Sequence, residues 1–183
     1  MSAIAATLAR TRARLAVALA RRRVTLGFVG GLIVLLLSIP TPATWLAGLV
    51  VAVIGESIRF WAAGHLEKAR EVTRSGPYRF VRHPLYVGST VIAGGVALAS
   101  HSIVVALVIA LYMALTITAA IKTEEADLRR GFGSTYDDYV ASRAPAMTRR
   151  FSVARAIRNR EHRAVAGLAL GFALLGLKAA ALQ

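Results

Sequence analysis

The sequence contains no cysteine and few acidic residues. Without cysteine the chain forms no disulfide, no thiolate nucleophile and no Cys-ligated metal centre. The four histidines, at positions 65, 83, 101 and 162, have no spacing typical of metal ligands, so we expect no metal site. Asp and Glu number 9 against 23 Lys and Arg, and the formal net charge of +14 suits either a nucleic acid or an anionic membrane surface.

Charged residues are scarce as a whole, at 17% of the chain, whereas 56% of the residues are hydrophobic. With a mean hydropathy of +0.58, the chain is too apolar for a soluble domain of this length. The cationic residues lie between long apolar runs and are nearly absent from them, as in the flanks of membrane spans, and no aromatic RNA-binding motif is present. The composition therefore predicts a membrane protein and no nucleic-acid partner.

Five apolar segments come close to the roughly 20 residues that a helix needs to cross about 30 Å of hydrocarbon. They cover residues 24–39, 45–64, 85–99, 102–121 and 164–182. Since a helix satisfies its own backbone polar groups in lipid, we predict an all-α polytopic membrane protein with about five transmembrane helices, short cytosolic helices and a single domain over residues 1–183. The first and third segments are short, and half-buried helices are the alternative there.

The distribution of Lys and Arg predicts the orientation in the membrane. Loops 40–44 and 100–101 carry none, whereas residues 1–23, 65–84 and 122–163 are strongly basic. The positive-inside rule places the N-terminus and both basic insertions in the cytosol and the C-terminus on the far side, where Lys178 is expected to reach the interface. Within residues 1–23, apolar residues share a helical face opposite arginines, which predicts an interfacial amphipathic helix, with a targeting segment as the alternative.

The first basic insertion ends in a polar and aromatic cluster, SGPYRFVRHPLYVG at residues 75–88. Its Gly-Pro step predicts a tight turn. Pro84 suits the first turn of a helix, so the third span is expected to begin there, with Arg82 and His83 at its entrance. The free N–H groups of that helix end, together with Arg82, suit a carboxylate or a phosphate. A basic membrane flank with interfacial tyrosines is the alternative.

The second basic insertion continues the fourth span to residue 130 and breaks at the Gly-Phe-Gly of residues 131–133. Ser134 and Asp137 then match a capping box for a new helix. On that helix Tyr136 and Tyr139 share a face, which is expected to lie on the membrane interface or to cover a pocket.

Four ionisable residues near the membrane boundary are candidates for function. Glu124 and Glu125 stand where the fourth span leaves the bilayer, a position at which acids oppose the helix dipole. Two solvated acids are the alternative. Glu56 and Arg59 share a face within the second span, where charges are costly and often mark function. A structural ion pair is the alternative for them.

The stretch GPYRFVRHPLYVG at residues 76–88, an apolar hairpin and the stretch EEADLRRGFGSTYDDY at residues 124–139 together resemble the isoprenylcysteine carboxyl methyltransferase and phospholipid methyltransferase family. The resemblance covers residues 55–145, since Arg59 and Trp61 also fall where that family has an Arg and an aromatic. It implies methyl transfer from S-adenosylmethionine to a lipid-like acceptor at the cytosolic membrane face. After residue 139 the chain departs from the family pattern, with a basic segment and an extra span. The acceptor stays open among a prenylated cysteine carboxylate, the amine of phosphatidylethanolamine, another lipid and a small hydrophobic thiol.

The resemblance also implies roles for particular residues. Arg59, Glu124 and Glu125 are expected to serve catalysis. Contacts to the cofactor are expected from Tyr78, Arg82, His83, Pro84, Tyr86, Gly88, Glu125, Tyr136 and Tyr139. Because a two-residue turn makes the third and fourth spans antiparallel neighbours, Arg82 and Glu125 are expected to lie close together. They would then complement the carboxylate and the ammonium of the cofactor.

Two other interpretations of the sequence remain. NADPH-dependent membrane sterol reductases share part of the Arg-His-Pro-x-Tyr pattern, although this chain has Leu85 where they usually have Asn. A nonenzymatic membrane scaffold is the second alternative.

Small residues also suggest helix association. Glycines are spaced by four at positions 27 and 31 and at positions 167 and 171. Such spacing lets helices approach closely, either in a homodimer or within one monomer.

Overall fold

A computed structural model describes residues 27, 29–145 and 147–182. The described residues form helices and no β-strand, which confirms the predicted all-α fold. The helices are α1 (residues 29–37), α2 (Pro42–His65), α3 (Pro84–Ser100), α4 (Ile103–Phe132), α5 (Ser134–Val140), α6 (Val153–Arg158) and α7 (Glu161–Ala181), with a 3-10 turn at Gly76–Arg79.

Three helices, α2, α4 and α7, are long and apolar enough to cross a membrane, so the chain is an integral membrane protein. α3 is apolar but shorter, with 17 residues. The predicted first span is described mainly as α1, and the predicted amphipathic helix of residues 1–23 lies outside the described residues. At about 1.5 Å per residue, the 30-residue α4 is about 45 Å long and carries its charged last turns beyond the hydrocarbon layer.

The sequence predicts the first residue of α3 correctly but predicts the wrong cap for α5. Pro84 is the first residue of α3, as predicted. The capping box predicted for Ser134 and Asp137 is wrong. α5 begins after Gly133, which has a φ of +48°, and among the described residues no side chain caps it. The Asp137 carboxylate accepts a hydrogen bond from Arg129 instead.

α2 and α3 pack antiparallel through glycines on both helices. Gly55 lies opposite Gly88, and Gly48 lies opposite Gly95. A Cβ on Gly95 would lie 2.6 Å from the Gly48 carbonyl oxygen and 2.7 Å from the Ala52 amide nitrogen, so no side chain fits there. Small residues at a helix contact in lipid let the backbones approach, and the resulting van der Waals packing holds the helices together.

The glycine pairs that the sequence singled out do not make this kind of contact. No atom of the described residues lies within 4 Å of a Cβ built on Gly31, Gly167 or Gly171. A Cβ on Gly27 would lie 3.7 Å from the Tyr112 hydroxyl, which is an ordinary contact within the monomer. Packing within the monomer therefore stays a prediction for these positions. The homodimer stays a prediction.

α7 lies against α1 and α2. The Trp45 indole N–H donates to the Phe172 carbonyl at 2.8 Å. Lys178 Nζ donates to the carbonyls of Leu35 and Leu36 at 2.7 and 2.9 Å. The ammonium of Lys178 thus satisfies carbonyls at the C-terminal end of α1, which have no hydrogen-bond donor within their own helix. That Lys178 reaches the membrane interface stays a prediction.

The segment after α5 folds back and caps the C-terminal end of α2. Arg155 Nη1 donates to the Gly64 carbonyl at 2.6 Å, and Asn159 Nδ2 donates to two further carbonyls of that helix end at 2.9 Å each. Arg155 also hydrogen-bonds Glu67, which holds the pKa of the Glu67 carboxyl below its usual range. These contacts fix the start of α7 next to α2.

Replacing Gly95 by Ala is expected to lower the free energy of unfolding by about 1 to 3 kcal/mol, because the added methyl group meets backbone atoms. Gly94→Ala is the matched control, since no described atom lies within 4 Å of its new Cβ. Thermal unfolding in detergent measures both variants. Equal melting temperatures for the two would contradict the close packing of α2 on α3.

Candidate functional site

A cleft of about 880 Å³ opens where the polar ends of α2, α3 and α4 meet α5. Side chains of α4, among them Met113 and Ile117, form its apolar side. The polar side comes from the segment that precedes α3 and from α5. Nine of the predicted site residues line the cleft: Arg59, Tyr78, Arg82, His83, Pro84, Tyr86, Glu124, Tyr136 and Tyr139.

The entrance of α3 carries a charged cluster. His83 Nε2 lies 3.3 Å and Arg82 Nη1 lies 3.4 Å from Oε1 of Glu125 on α4. Arg129 Nη1 lies 3.7 Å from the other oxygen of Glu125. The predicted closeness of Arg82 and Glu125 is confirmed. Glu125 stands behind Arg82 and His83 and is not part of the cleft wall.

The first turn of α3 begins inside this cluster. His83 is the N-cap residue, and its side chain makes no capping hydrogen bond. An uncapped helix start next to a guanidinium attracts an anion, because the amide N–H groups and the helix dipole act in the same direction.

Glu124 offers an open carboxylate beside the cluster. Its Oε2 lies 3.8 Å from His83 Nδ1, and its side chain is 44% exposed. A carboxylate with that exposure can pass a proton between the cleft and water.

Three tyrosines form the opposite wall. The Tyr139 hydroxyl donates to the Tyr78 carbonyl at 2.7 Å, and the Tyr136 and Tyr139 ring centroids are 6.2 Å apart. Burial raises the pKa of Tyr139 to about 12 and also raises the pKa of Tyr78 and of Tyr136, so all three are neutral phenols at pH 7.

The hydroxyl of Tyr136 is unsatisfied. The residue is 1% exposed and lines the cleft, and its hydroxyl has no hydrogen-bond partner among the described residues. A buried hydroxyl without a partner loses roughly 1–3 kcal/mol of hydrogen-bonding free energy, which a polar ligand in the cleft would restore.

Arg59 brings a cation from α2 into the cleft. Its Nη2 lies 2.7 Å from Oε1 of Glu161, its Nε lies 3.6 Å from Oε2 of Glu56, and its Nη1 donates to the Ser89 hydroxyl. The ion pair expected between Glu56 and Arg59 is present, but Glu161 makes the shorter contact. Both acids are buried, with 8% and 4% of Glu56 and Glu161 exposed.

Sequence reasoning missed Glu161. It is the first residue of α7 and lines the cleft. One signal was present in the sequence, because Glu161 is the single acid after Asp138 and stands at the start of the last apolar run. An acid at a membrane boundary among cations is expected to have a partner.

Gly88 was predicted to contact the cofactor, and the structure corrects this. A Cβ on Gly88 would lie 2.6 Å from Arg59 Cγ and from the Gly55 carbonyl oxygen. Gly88 therefore faces α2 and leaves space for the Arg59 side chain. It does not line the cleft.

Comparison with protein families gives one match. A family model described as phospholipid methyltransferase matches residues 28–135, which include α2, α3 and α4 and make up more than half of the chain. Tyr136, Tyr139 and all of α7 lie outside the matched residues.

Two metal resistance proteins are similar to this chain. The nickel-cobalt-cadmium resistance protein NccN of Alcaligenes xylosoxydans xylosoxydans is 38% identical over 110 residues, which cover 59% of this chain and 49% of that protein. The cobalt-zinc-cadmium resistance protein CzcN of Cupriavidus metallidurans is 34% identical over 120 residues, which cover 61% and 55%. The chain spans about half the length of these curated relatives. No solved structure matches it.

Proposed function

Because the chain belongs to the phospholipid methyltransferase family, we propose that it transfers a methyl group from S-adenosylmethionine to a lipid-like or prenylated acceptor at the membrane surface. The observation that carries this proposal is the meeting of Arg82 and His83, which Glu125 holds from behind, with the unsatisfied Tyr136 hydroxyl in one cleft. An enzyme of this kind needs a polar cofactor site that opens beside lipid.

The residues of the cleft fit S-adenosylmethionine. Its amino acid part carries a carboxylate and an ammonium on one carbon. Arg82 and the uncapped start of α3 would hold the carboxylate. Glu125, which lies behind Arg82 and outside the cleft wall, would keep the guanidinium in position. The Tyr136 hydroxyl would receive a polar group of the nucleoside. Tyr78, Pro84 and Tyr86 shape the remaining wall.

When bound, the cofactor supplies an electrophilic methyl group on a sulfonium. The residues of this chain would mainly bind, orient and exclude water, because a displacement of this kind depends on alignment of the two reactants. Tyr136 and Tyr139 cover the cleft as neutral side chains. Arg59 would orient the acceptor. If the acceptor is an amine, Glu124 would take its proton and release it to water.

We place the cleft on the cytosolic face. The basic segments 65–84 and 122–163 flank it, and the loops at the other ends of these helices carry no Lys or Arg. S-adenosylmethionine is a water-soluble cofactor made in the cytosol, so a cleft on the cytosolic face is accessible to it.

The names of the two relatives refer to metal resistance, but the proposed chemistry acts on lipid. Among the described residues no group of three or more His, Asp or Glu side chains is arranged to hold a metal ion. We infer that any role of this protein in a metal response would consist of modifying membrane lipids.

Arg82→Ala and Glu125→Gln are each expected to weaken S-adenosylmethionine binding at least about tenfold, or ~1.4 kcal/mol. The first variant removes the cation that would pair with the carboxylate, and the second removes the acid that holds Arg82 in position. Arg130→Ala is the control, because Arg130 lies on α4, as Glu125 does, and its side chain is 78% exposed. Equilibrium dialysis of the purified protein measures the affinities, with NADPH as a second ligand. Unchanged affinity in both variants would reject the site, and binding of NADPH alone would favour the reductase.

Cysteines introduced at Ala43 and His101 are expected to react with a membrane-impermeant maleimide from the noncytosolic side, and one at Ser134 only after the membrane is opened. The chain has no native cysteine, so each variant reports one position. All three residues are exposed in the structure. The reverse labelling pattern would place the cleft on the other face.

A further inference from the structure

Arg129, near the end of α4, contacts both α5 and the charged cluster at the start of α3. Its Nε donates to the Asp137 carboxylate at 3.3 Å, and its Cζ lies 5.4 Å from the centre of the Tyr136 ring. Its Nη1 lies 3.7 Å from Oε2 of Glu125. Arg129 does not line the cleft, and its side chain is 48% exposed. It therefore stands behind Tyr136 and acts on the cleft through other residues.

α5 depends on side-chain contacts for its position. It has seven residues and no side-chain cap, so its own backbone hydrogen bonds stabilise it weakly. Gly133, with a φ of +48°, joins it to α4, and no described atom lies within 4 Å of a Cβ built there, so the joint is not packed. Tyr139 holds the last turn of α5 on the Tyr78 carbonyl. Arg129 holds its first turn through Asp137.

The Tyr136 side chain is the part of α5 that faces a ligand. Its ring contacts the Arg129 guanidinium at cation–π distance and the Tyr139 ring at 6.2 Å. Its hydroxyl is buried in the cleft wall without a hydrogen-bond partner among the described residues. A ring that is fixed before binding presents this hydroxyl in one direction, which lowers the entropic cost of binding a ligand.

Two routes lead from Arg129 to a ligand in the cleft. The first passes through the Tyr136 ring and through Asp137, the next residue of α5. The second passes through Glu125, whose other oxygen faces Arg82. The first route is the stronger one, because Arg129 contacts two neighbouring residues of α5. On the second route, Arg82 lies closer to Glu125 than Arg129 does, at 3.4 Å against 3.7 Å.

We propose that Arg129 is a positioning residue that holds α5 over the cleft and directs the Tyr136 hydroxyl into it. This inference rests on the proposed function, in which that hydroxyl receives a polar group of the nucleoside of S-adenosylmethionine. Arg129 would then support the nucleoside half of the cofactor site, whereas Glu125 supports the half that holds the carboxylate. Removal of Arg129 is therefore expected to weaken a nucleoside ligand even when that ligand has no carboxylate.

Hydrogen exchange of the α5 amides, followed by mass spectrometry of the purified protein without ligand, reports how often α5 opens. Arg129→Ala is expected to speed this exchange at least about threefold, because the variant loses an ion pair and a cation–π contact together. Asp137→Asn should change the exchange in the same direction. Arg130→Ala is the matched control and should behave as the parent, since Arg130 pairs with Asp127 on its own helix.

Equilibrium dialysis with two ligands tests the route. S-adenosylhomocysteine carries the amino acid part of the cofactor, and methylthioadenosine lacks both its carboxylate and its ammonium. Arg129→Ala and Tyr136→Phe are each expected to weaken both ligands at least about threefold, as the loss of one well-placed hydrogen bond gives. Glu125→Gln should weaken S-adenosylhomocysteine alone, because it acts through Arg82. Arg129→Ala added to Tyr136→Phe should cause little further loss, since both changes act on one hydroxyl.

Equal exchange of α5 in Arg129→Ala and Arg130→Ala protein would overturn the proposal. So would losses of affinity that add in full in the double variant, or an effect of Arg129→Ala on S-adenosylhomocysteine alone, which would assign Arg129 to the Glu125 route. The two claims fail separately. A parent protein that binds neither ligand, although its α5 exchange responds as expected, would reject the proposed function alone. A parent that binds both ligands but shows additive losses would reject this inference alone.

Discussion

Gly88 has no side chain where Arg59 Cγ passes, and this allows a charged side chain to run between two closely packed membrane helices. The glycine contacts of α2 with α3 bring the helix axes near enough for Arg59 to reach Ser89 on one side and Glu161 on the other. The same contact sets the start of α3 beside α2. The position of the cleft follows from it.

Charge burial is the main energetic cost of this arrangement. Glu56 and Glu161 are buried and the Arg59 side chain is only 20% exposed, and a buried ion pair recovers the cost of removing charge from water only in part. The segment after α5 helps to hold the three groups, because Arg155 and Asn159 tie the end of α2 to the residues just before α7. We infer that such a costly cluster is kept for function, because Arg59 and Glu161 line the cleft.

Much of the fold could be predicted from the sequence, because hydropathy and proline placement act locally. The helix start at Pro84 and the closeness of Arg82 and Glu125 followed from a proline signal and a two-residue turn. The partner of Arg59 could not be found in this way, since Glu161 meets it only through the packing of α7. Glycine spacing did not point to the close helix contact, because Gly95 packs against the backbone of α2 whereas no described atom lies within 4 Å of a Cβ built on Gly171.

The central claim is that the cleft delivers a methyl group to lipid. The most direct measurement uses the purified protein in nanodiscs made from a total membrane lipid extract, supplied with S-adenosylmethionine whose methyl group carries deuterium. Mass spectrometry of the extracted lipids follows the label. We predict a deuterated methyl group on a lipid in the parent and little of it in Arg82→Ala protein. Unlabelled lipids in the presence of a protein that binds the cofactor would contradict the account.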